Sequence, residues 1–339
     1  MMLQGLPKDA LSISEWSNED LAWRNVSQGI RTVVEDLHLR KKRETARDQP
    51  ATLSEAISNL IDRLSGQVDT DKHVQGMSTS FVDIDYFLDG LHSSQLITFA
   101  ARPGMGATTL ALGIGCAVAQ GNNPVIFFST KTSKNDLIER AVATTAMVAH
   151  NKLQRAQLSA NEWAQVAREL QLLSQSPMLV DDNMQLGMGE IVKRCEETQK
   201  RFGKLSLVIL DSVNYLHTGS DSLESTEGFA RGLKSLARDF GCAVIAIAPV
   251  SRDVENRVNK RPGRGDLDGW QELANMSDAL GFIYRDEYYN DDSPDRGLAE
   301  LIFTKNSRGP IGTVRLIFSI DHGGFMNFSI PSSGPKFPI

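Results

Sequence analysis

A glycine-rich segment in the first third of the chain carries the residue types of a phosphate-binding loop. It reads ARPGMGATT over Ala101–Thr109. In such loops the backbone N–H groups surround nucleotide phosphates, a lysine reaches the terminal phosphates, and a Ser or Thr hydroxyl binds Mg²⁺. Ala107 stands in place of the lysine, so the segment keeps its binding geometry and loses one cation. The candidate nucleotide-binding residues of the loop are Arg102, Gly104, Gly106, Thr108 and Thr109.

The flanking sequence decides between a phosphate loop and an incidental glycine-rich turn. An apolar run, QLITFAA, leads into the segment, and TTLALGIGCAVAQ follows with the pattern of a helix. A loop that ends a strand and opens a helix is the setting that phosphate binding requires. We therefore interpret the segment as a phosphate loop, although Ala101 also replaces the first glycine of the usual pattern.

A carboxylate further along the chain completes a candidate magnesium site. Asp211 ends the apolar run LVILD, which predicts a buried strand. A strand-terminal Asp beside a phosphate loop is a common second ligand of Mg²⁺. The prediction is therefore a metal site formed by Thr108 and Asp211. The alternative is that Asp211 simply begins a turn.

Strands and helices alternate from about residue 77 to residue 330. Continuous apolar strands separated by helices predict a mainly parallel sheet with helices on both faces, which is an α/β fold. A helix is expected from Lys134 to about His150, and a helical pair over Ser159–Ser174. The last two apolar runs, LAELIFTKN and GTVRLIFSI, predict a terminal hairpin.

The chain before this domain is polar and helical in pattern. Residues 1–50 predict a helical leader that ends in the basic run RKKRETAR, either a solvated helix face or a contact for an acidic partner or nucleic acid. Residues 51–76 hold an amphipathic helix, Thr52–Leu64, with a polar linker behind it. We call Thr52–Leu64 the linker helix; it packs on its own domain or on a neighbouring subunit. Residues 331–339 form a tail.

Composition narrows the class of protein. The formal net charge is −6, so any contact with nucleic acid must come from local patches rather than from an overall field. Cys116, Cys195 and Cys242 show no metal-binding spacing, and buried thiols in a reducing compartment are expected. The chain shows no secretory signal and no apolar run of about 18 residues. We expect a cytoplasmic protein without membrane contact.

Several motifs in the same order resemble a known family. The motifs ARPGMGATT, FFST, LVILD, KRP, FIYRDE and NSRGPIGTVRL resemble the C-terminal motor domain of DnaB-type replicative DNA helicases over about residues 52–328. The resemblance implies a RecA-like P-loop NTPase fold and a hexameric ring with ATP and Mg²⁺ bound between subunits. It also implies that single-stranded DNA passes through the central channel and that the ring unwinds DNA in the 5′→3′ direction. It also implies that the linker helix docks on the next motor domain. We expect the family's N-terminal helical domain to be absent or replaced by the leader.

Three positions depart from what the resemblance implies. Lys131 stands where the family has a catalytic glutamate that polarises water. Pro249, or its neighbour Ala248, stands where a glutamine senses the γ-phosphate. The family's trans-acting Lys-x-Arg reads Lys305, Asn306, Ser307, Arg308 here. The lysine is kept, Ser307 takes the place of the arginine, and Arg308 follows one residue later, where strand alternation would turn its side chain to the other face.

These losses predict weak hydrolysis with nucleotide binding retained. An arginine finger alone contributes about 10³–10⁵ in rate, and Ala107 and Lys131 remove two further groups. Lys131 has two possible roles. It is either a cation that braces the bound phosphates or a solvated surface lysine.

A basic segment, SRDVENRVNKRPGRGD over residues 251–266, is the candidate contact for single-stranded DNA. Basic groups in such a loop follow the phosphates of a single strand. The alternative is a solvated loop, since acidic residues dilute the cluster. Its candidate DNA-binding residues are Arg252, Arg257, Lys260, Arg261 and Arg264.

Two classes of function follow. The first is a nucleotide- and DNA-binding ring subunit, homo-oligomeric or associated with a full-length helicase, that retains some hydrolysis. The second is a non-catalytic regulator that binds a replicative helicase. A related RecA-like recombination or clock ATPase is a third, which FIYRDE and GPIGTVRL disfavour.

Overall fold

A computed structural model describes residues 74–184, 186–215, 225–319 and 321–328, and also 52–54 and 57–58. The chain divides into two compact units, Met1–Asp71 and Lys72–Ile339. The predicted leader, most of the linker helix and the tail lie outside the described residues. In the first unit, residues 53–54 and 57–58 are helical, and Leu53 and Ile57 are exposed.

The second unit is built on one nine-stranded sheet in the order β3-β2-β4-β5-β1-β6-β7-β8-β9. The pairs among β1 to β6 are parallel, whereas β7, β8 and β9 continue the sheet in antiparallel fashion. The strands are β1 Leu96–Ala101, β2 Val125–Ser129, β3 Met178–Asp181, β4 Leu207–Asp211, β5 Ala243–Pro249, β6 Ala279–Tyr284, β7 Leu298–Asn306, β8 Gly312–Ser319 and β9 Gly324–Asn327.

Eight α-helices lie in the described part of this unit. They are α1 Val82–Leu88, α2 Ala107–Gln120, α3 Lys134–Thr145, α4 His150–Gln154, α5 Ala160–Gln175, α6 Met188–Phe202, α7 Thr226–Phe240 and α8 Gln271–Met276. No helix among the described residues has both the length and the apolar character needed to cross a bilayer.

Alternation along the buried strands creates a core on each face of the sheet. In β1, Ile97 and Phe99 belong to one apolar cluster, whereas Leu96 and Ala100 belong to the other. All four are 0% exposed, because helices cover both faces of this central strand. The predicted α/β architecture is confirmed.

Several predicted boundaries differ from the structure. The helix expected to reach His150 ends at Thr145, and a separate short helix, α4, begins at His150. The expected helical pair is the single helix α5, whose first turn is fixed by a reciprocal capping box between Ser159 and Glu162. Strand β9 was not predicted, because its four residues are too few to show a period.

The turn between β7 and β8 fits closely against the end of α1. Asn306 donates from Nδ2 to the carbonyl oxygens of Phe87 and, at 3.0 Å, Pro310. A Cβ added to Gly309 would lie 2.2 Å from the Phe87 carbonyl oxygen. The absence of a side chain at Gly309 therefore allows the GPIG turn to approach α1.

Gly309→Ala tests this close approach. We expect a loss of about 2 kcal/mol in the free energy of unfolding, because backbone atoms must move to admit the methyl group. Urea unfolding measures the loss. Gly189→Ala is the matched control, since a Cβ there meets nothing within 4 Å. Equal stability of the two variants would contradict the packing argument.

Candidate functional site

The segment Ala101–Thr109 has the backbone of a phosphate loop. Strand β1 ends at Ala101, and α2 begins at Ala107 with Gly106 as its N-cap. Gly104 and Gly106 have φ angles of 84° and 96°, in the left-handed region that favours glycine. The first-turn N–H groups of a 14-residue helix therefore face the loop, where they and the helix dipole favour an anion.

Aromatic rings pack against both glycines of the loop. A Cβ on Gly104 would lie 2.5 Å from the Tyr288 ring, and one on Gly106 would lie 2.8 Å from the Phe325 ring. Tyr288 follows β6, whereas Phe325 lies on β9. The loop is thus held between segments from the C-terminal third of the chain.

The predicted metal ligands are in contact. Asp211 is 5% exposed at the end of β4 and accepts a hydrogen bond from the Thr108 side chain. Burial raises the pKa of the Asp211 carboxyl, although the hydrogen bond from Thr108 opposes this effect. A buried carboxylate beside a hydroxyl at a helix N-terminus is a donor pair that suits Mg²⁺. Among the described residues, no group of three or more His, Cys, Asp or Glu side chains is placed to hold a metal ion.

Two cations, one in the loop after β2 and one on α3, act on the same carboxylate. The charges of Lys131 and Arg140 both lower the pKa of Asp211, after the larger effect of burial and the hydrogen bond from Thr108. Lys131 is exposed in the loop after β2, and Arg140 is half-buried on α3. Both cations therefore act on the carboxylate of the candidate metal site.

The end of β5 lies beside the end of β1. Pro249 pairs with Ala101 in the parallel register, while Ala248 is 1% exposed. Pro249 is therefore the residue of this segment that lies at the strand tip. Its side chain has no hydrogen-bonding group and cannot replace a glutamine that senses phosphate.

A buried arginine donates a hydrogen bond to the backbone of the phosphate loop. Arg285, 7% exposed just after β6, donates from Nη1 to the Gly104 carbonyl at 3.1 Å. Its Nε and Nη2 donate to Glu287 at 3.1 and 2.5 Å, and its guanidinium lies 3.7 Å from the centroid of the Phe318 ring. Burial alone would raise the pKa of Glu287, but hydrogen bonds from Arg285 and the Gly297 N–H hold it below its ordinary value.

The basic segment 251–266 lies at the same edge of the sheet, directly after β5. Most of its cations are engaged within the chain. Arg257 pairs with Asp266 at 2.7 Å, and Arg261 binds both oxygens of Glu300 at 2.6 and 2.8 Å. The remaining contacts join Lys260 to the carbonyl oxygens of Glu255 and Arg257, Arg264 to Asn275, and Arg252 to Glu255 at 3.5 Å.

The residues of the predicted trans-acting motif, Lys305, Ser307 and Arg308, lie at the opposite edge of the sheet. Lys305, near the end of β7, pairs with Leu280 at the start of β6, and its Nζ donates to the carbonyl oxygens of Ala274 and Asn275 at the end of α8. Strand β7 ends at Asn306, so strand alternation does not decide where Arg308 points, and that argument was wrong. Within one chain, Lys305, Ser307 and Arg308 are not brought to the phosphate loop.

The comparisons with known proteins agree with this geometry. The model of the DnaB-like helicase C-terminal domain matches residues 76–327. The chain belongs to this family. It is 33% identical to the replicative DNA helicase DnaB of Pasteurella multocida over 85% of its own length and 64% of that protein, and 29% identical to DnaB of Geobacillus stearothermophilus over 81% and 62%. It therefore spans less than two thirds of these relatives.

Solved structures show the same fold. One solved ATPase domain superimposes with a TM-score of 0.77 at 25% identity, over 83% of this chain and all of that domain. A DnaB-like replicative helicase, whose structure was described with its interactions with primase, gives 0.74 at 24% identity over 90% of this chain and 76% of that one. The described unit is a RecA-like domain of the DnaB-like family.

Sequence reasoning missed four contributors to the site in this DnaB-like domain. The motif FIYRDE was recognised without a role, although Arg285 and Glu287 brace the loop. Glu255 was treated as diluting the basic segment, although it pairs with Arg102. Arg140 lies on α3, beyond the segment after β2 that was compared with the family. In FIYRDE, charged residues of opposite sign directly follow an apolar strand. Since charged groups near a core are usually paired, this pattern could have indicated the pairing of Arg285 with Glu287.

Glu287→Gln tests the brace through its pH dependence. The side chains of Arg285 and Glu287 are 8% and 7% exposed, so loss of the carboxylate charge should cost about 3 kcal/mol in unfolding free energy at pH 7. The folded-state pKa of Glu287 lies below its ordinary value of 4.5. Its contribution is therefore complete above the unfolded pKa and is lost as pH falls through the folded pKa.

The measurement is urea unfolding of both proteins from pH 7 to pH 3.5. The difference between them should shrink as the pH falls below about 4.5. Glu227→Gln removes a fully accessible pair with Arg231, whose side chains are 64% and 62% exposed, and should change stability little. A difference between wild type and Glu287→Gln that stays constant with pH would contradict the proposed pairing energy.

Proposed function

We propose that this chain is a nucleotide- and single-stranded-DNA-binding ring subunit of the replicative helicase type, with weakened or absent ATP hydrolysis. One observation carries the proposal. The chain has the backbone of a phosphate loop and the contact between Thr108 and Asp211. Ala107 stands where the family has the phosphate-binding lysine, and Lys131 stands where it has the water-polarising glutamate. Such a site retains groups that bind phosphate and Mg²⁺ and lacks groups that act on the attacking water.

Nucleotide binding is supported by the groups at the start of α2. The N–H groups there would bind the phosphates, and Thr108 with Asp211 would hold Mg²⁺. Bound Mg²⁺ would supply charge neutralisation on the phosphates. Lys131, whose charge acts on Asp211, supports the hypothesis that it braces the bound phosphates. If Lys131 is instead a solvated surface lysine, its replacement would leave the nucleotide affinity unchanged.

Weak hydrolysis follows from what the missing groups contribute. A positioned general base contributes about 10²–10⁴ in rate, and a trans arginine contributes about 10³–10⁵. Lys131 is not a carboxylate that could polarise the attacking water, and Pro249 has no group with which to sense the γ-phosphate. The regulatory alternative, a partner of a complete helicase that turns over no ATP, is favoured by these same positions.

DNA binding is supported by the segment 251–266 at the phosphate-loop edge. The Arg252 side chain is 86% exposed, and Val258 at the tip is fully exposed. Phosphates of a single strand would compete with the internal partners of the other cations, so affinity should be moderate and should fall with salt. No aromatic residue lies within the segment, which favours contact with the DNA backbone over base recognition.

Assembly of a ring is supported by the placement of Lys305, Ser307 and Arg308. They lie at the opposite sheet edge from the phosphate loop, so a second subunit is the route by which they would reach a nucleotide. The homologous relatives are named replicative DNA helicases, and one structural neighbour is described with primase. A homo-oligomeric ring, hexameric as the family resemblance implies, or a mixed ring with a full-length helicase fits this arrangement.

Restoration of the missing groups tests the catalytic part of the proposal. Ala107→Lys alone should tighten nucleotide binding more than it raises turnover, because the lysine contacts ground-state phosphates. Ala107→Lys with Lys131→Glu should raise ATPase about 10²-fold over the wild type, because the carboxylate positions water. Ser307→Arg should raise it further in the oligomer only. ATP turnover is measured with and without single-stranded DNA.

The controls separate the possible failures. Lys131→Glu alone should weaken nucleotide binding, and unchanged or tighter binding would contradict the brace hypothesis. A wild-type rate of about 1–100 s⁻¹ would show that the catalytic positions have been misassigned. A triple variant that binds nucleotide and stays inert would place the defect in the geometry of the ring.

Deletion of residues 1–66 tests the role of the linker helix in assembly. Leu53 and Ile57 are 77% and 46% exposed, and burial of such side chains contributes about 1.5–3 kcal/mol each. We expect the deletion to convert an oligomer to a monomer, or to abolish association with a full-length helicase, as measured by sedimentation. The same sedimenting species before and after deletion would show that the linker helix packs on its own domain.

A further inference from the structure

The one charged side chain of the phosphate loop is turned away from the loop. Arg102 is the only charged residue in Ala101–Thr109. Its Nε donates to Glu255 Oε1 at 2.9 Å, and its Nη1 donates to the Val250 carbonyl at 3.1 Å. Both acceptors belong to the segment that follows β5, so the guanidinium is committed to a neighbouring loop.

Glu255 is held in place for this contact. It lies in the short 3₁₀ turn Arg252–Asn256, and Lys260 donates to its carbonyl oxygen at 3.0 Å. The hydrogen bond from Arg102 lowers the pKa of Glu255, with the charges of Arg102 and Arg252 adding to the effect. Glu255 is therefore ionised at neutral pH. The side chains of Arg102 and Glu255 are 19% and 28% exposed, so solvent screens the pair incompletely.

Because Ala107 stands where a lysine would contact the phosphates, the position of Arg102 matters more to nucleotide binding. A bound polyphosphate attracts any nearby cation, and an arginine that already holds a carboxylate must give up that bond to respond. A conformational change of this kind occurs only when the new contact is stronger than the old one. Glu255 and the nucleotide thus compete for one guanidinium.

We propose that Glu255 is a positioning residue that withholds Arg102 from the nucleotide and so keeps the affinity of the phosphate loop low. The inference rests on the proposed nucleotide binding and adds a residue that sets its strength. In the wild type, Arg102 stays with Glu255 and contributes little to nucleotide binding. When the carboxylate charge is removed, Arg102 turns to the phosphates and affinity rises.

The experiment measures the dissociation constant of MgATP, and separately of inorganic tripolyphosphate, by isothermal titration calorimetry of the full chain at low salt. Glu255→Gln should bind both about fivefold more tightly, which corresponds to ~1 kcal/mol. Glu300→Gln is the matched control, because it removes a carboxylate that pairs with Arg261 in the same loop and not with Arg102. Its affinity should equal that of the wild type.

Two further variants identify the source of the gain. Although its place in the loop makes Arg102 a candidate nucleotide-binding residue by sequence, its guanidinium is bound to Glu255 and Val250, so Arg102→Met alone should change the affinity less than about twofold. Arg102→Met with Glu255→Gln should lose the fivefold gain. A purely structural role of Glu255 would lower affinity rather than raise it, so the direction of the change is diagnostic.

The outcomes separate this inference from the proposed function. The inference would be overturned if Glu255→Gln does not bind nucleotide more tightly than the wild type, or if the gain in affinity persists in Arg102→Met with Glu255→Gln. Either result would leave the proposed function standing. A large loss of affinity in Arg102→Met would also overturn it, because Arg102 would already contact the nucleotide. Absence of binding in both the wild type and Glu255→Gln would overturn both.

Discussion

The parallel pairing of the central strands is the constraint on which the candidate site depends. Strand β1 is paired with β5 and β6, and β4 with β2 and β5, all in parallel. The register places Pro249 beside Ala101 and Asp211 beside Ser129. Because parallel strands carry their carboxyl ends to one edge, loops that are distant in sequence meet there. The contact of Thr108 with Asp211 is a consequence of this register.

At that edge the balance of charge is unusual for a site that would bind a polyphosphate. The cations nearest to the phosphate loop are engaged by carboxylates: Arg102 with Glu255, and Arg285 with Glu287. Lys131 and Arg140 act on the buried Asp211. The anion-attracting part of the site is therefore mainly the backbone at the start of α2. A bound nucleotide would depend on Mg²⁺ for the remaining neutralisation, since these ion pairs keep the two arginines from the phosphates.

The strands could be predicted from the sequence because their signals are local, whereas the ion pairs of the site could not. Runs such as LVILD and LITFAA are continuous and apolar, which predicts buried parallel strands, and Asp211 follows from its position at a strand end. By contrast, Arg102 and Glu255 are 153 residues apart, and Arg285 donates to a carbonyl 181 residues away. No periodicity links such residues, because their pairing depends on the path of loops after the sheet is formed. The strand-alternation argument for Arg308 failed for a related reason, since it required β7 to continue beyond its last residue.

The two edges of the sheet also limit what one chain can do. The phosphate loop and the segment 251–266 share the carboxyl edge, whereas Lys305 pairs with Leu280 at the start of β6 and Ser307 bonds to Asp278, just before that strand. Lys305 is already bound to the end of α8, where burial lowers its pKa and the charge of Arg264 lowers it further. A lysine that is partly desolvated, with its donors occupied by carbonyl oxygens, must break those bonds before it can meet a phosphate of a neighbouring subunit. Any contribution of Lys305 across an interface would therefore be smaller than that of a solvated, unpaired cation, which is consistent with the weak hydrolysis that we propose.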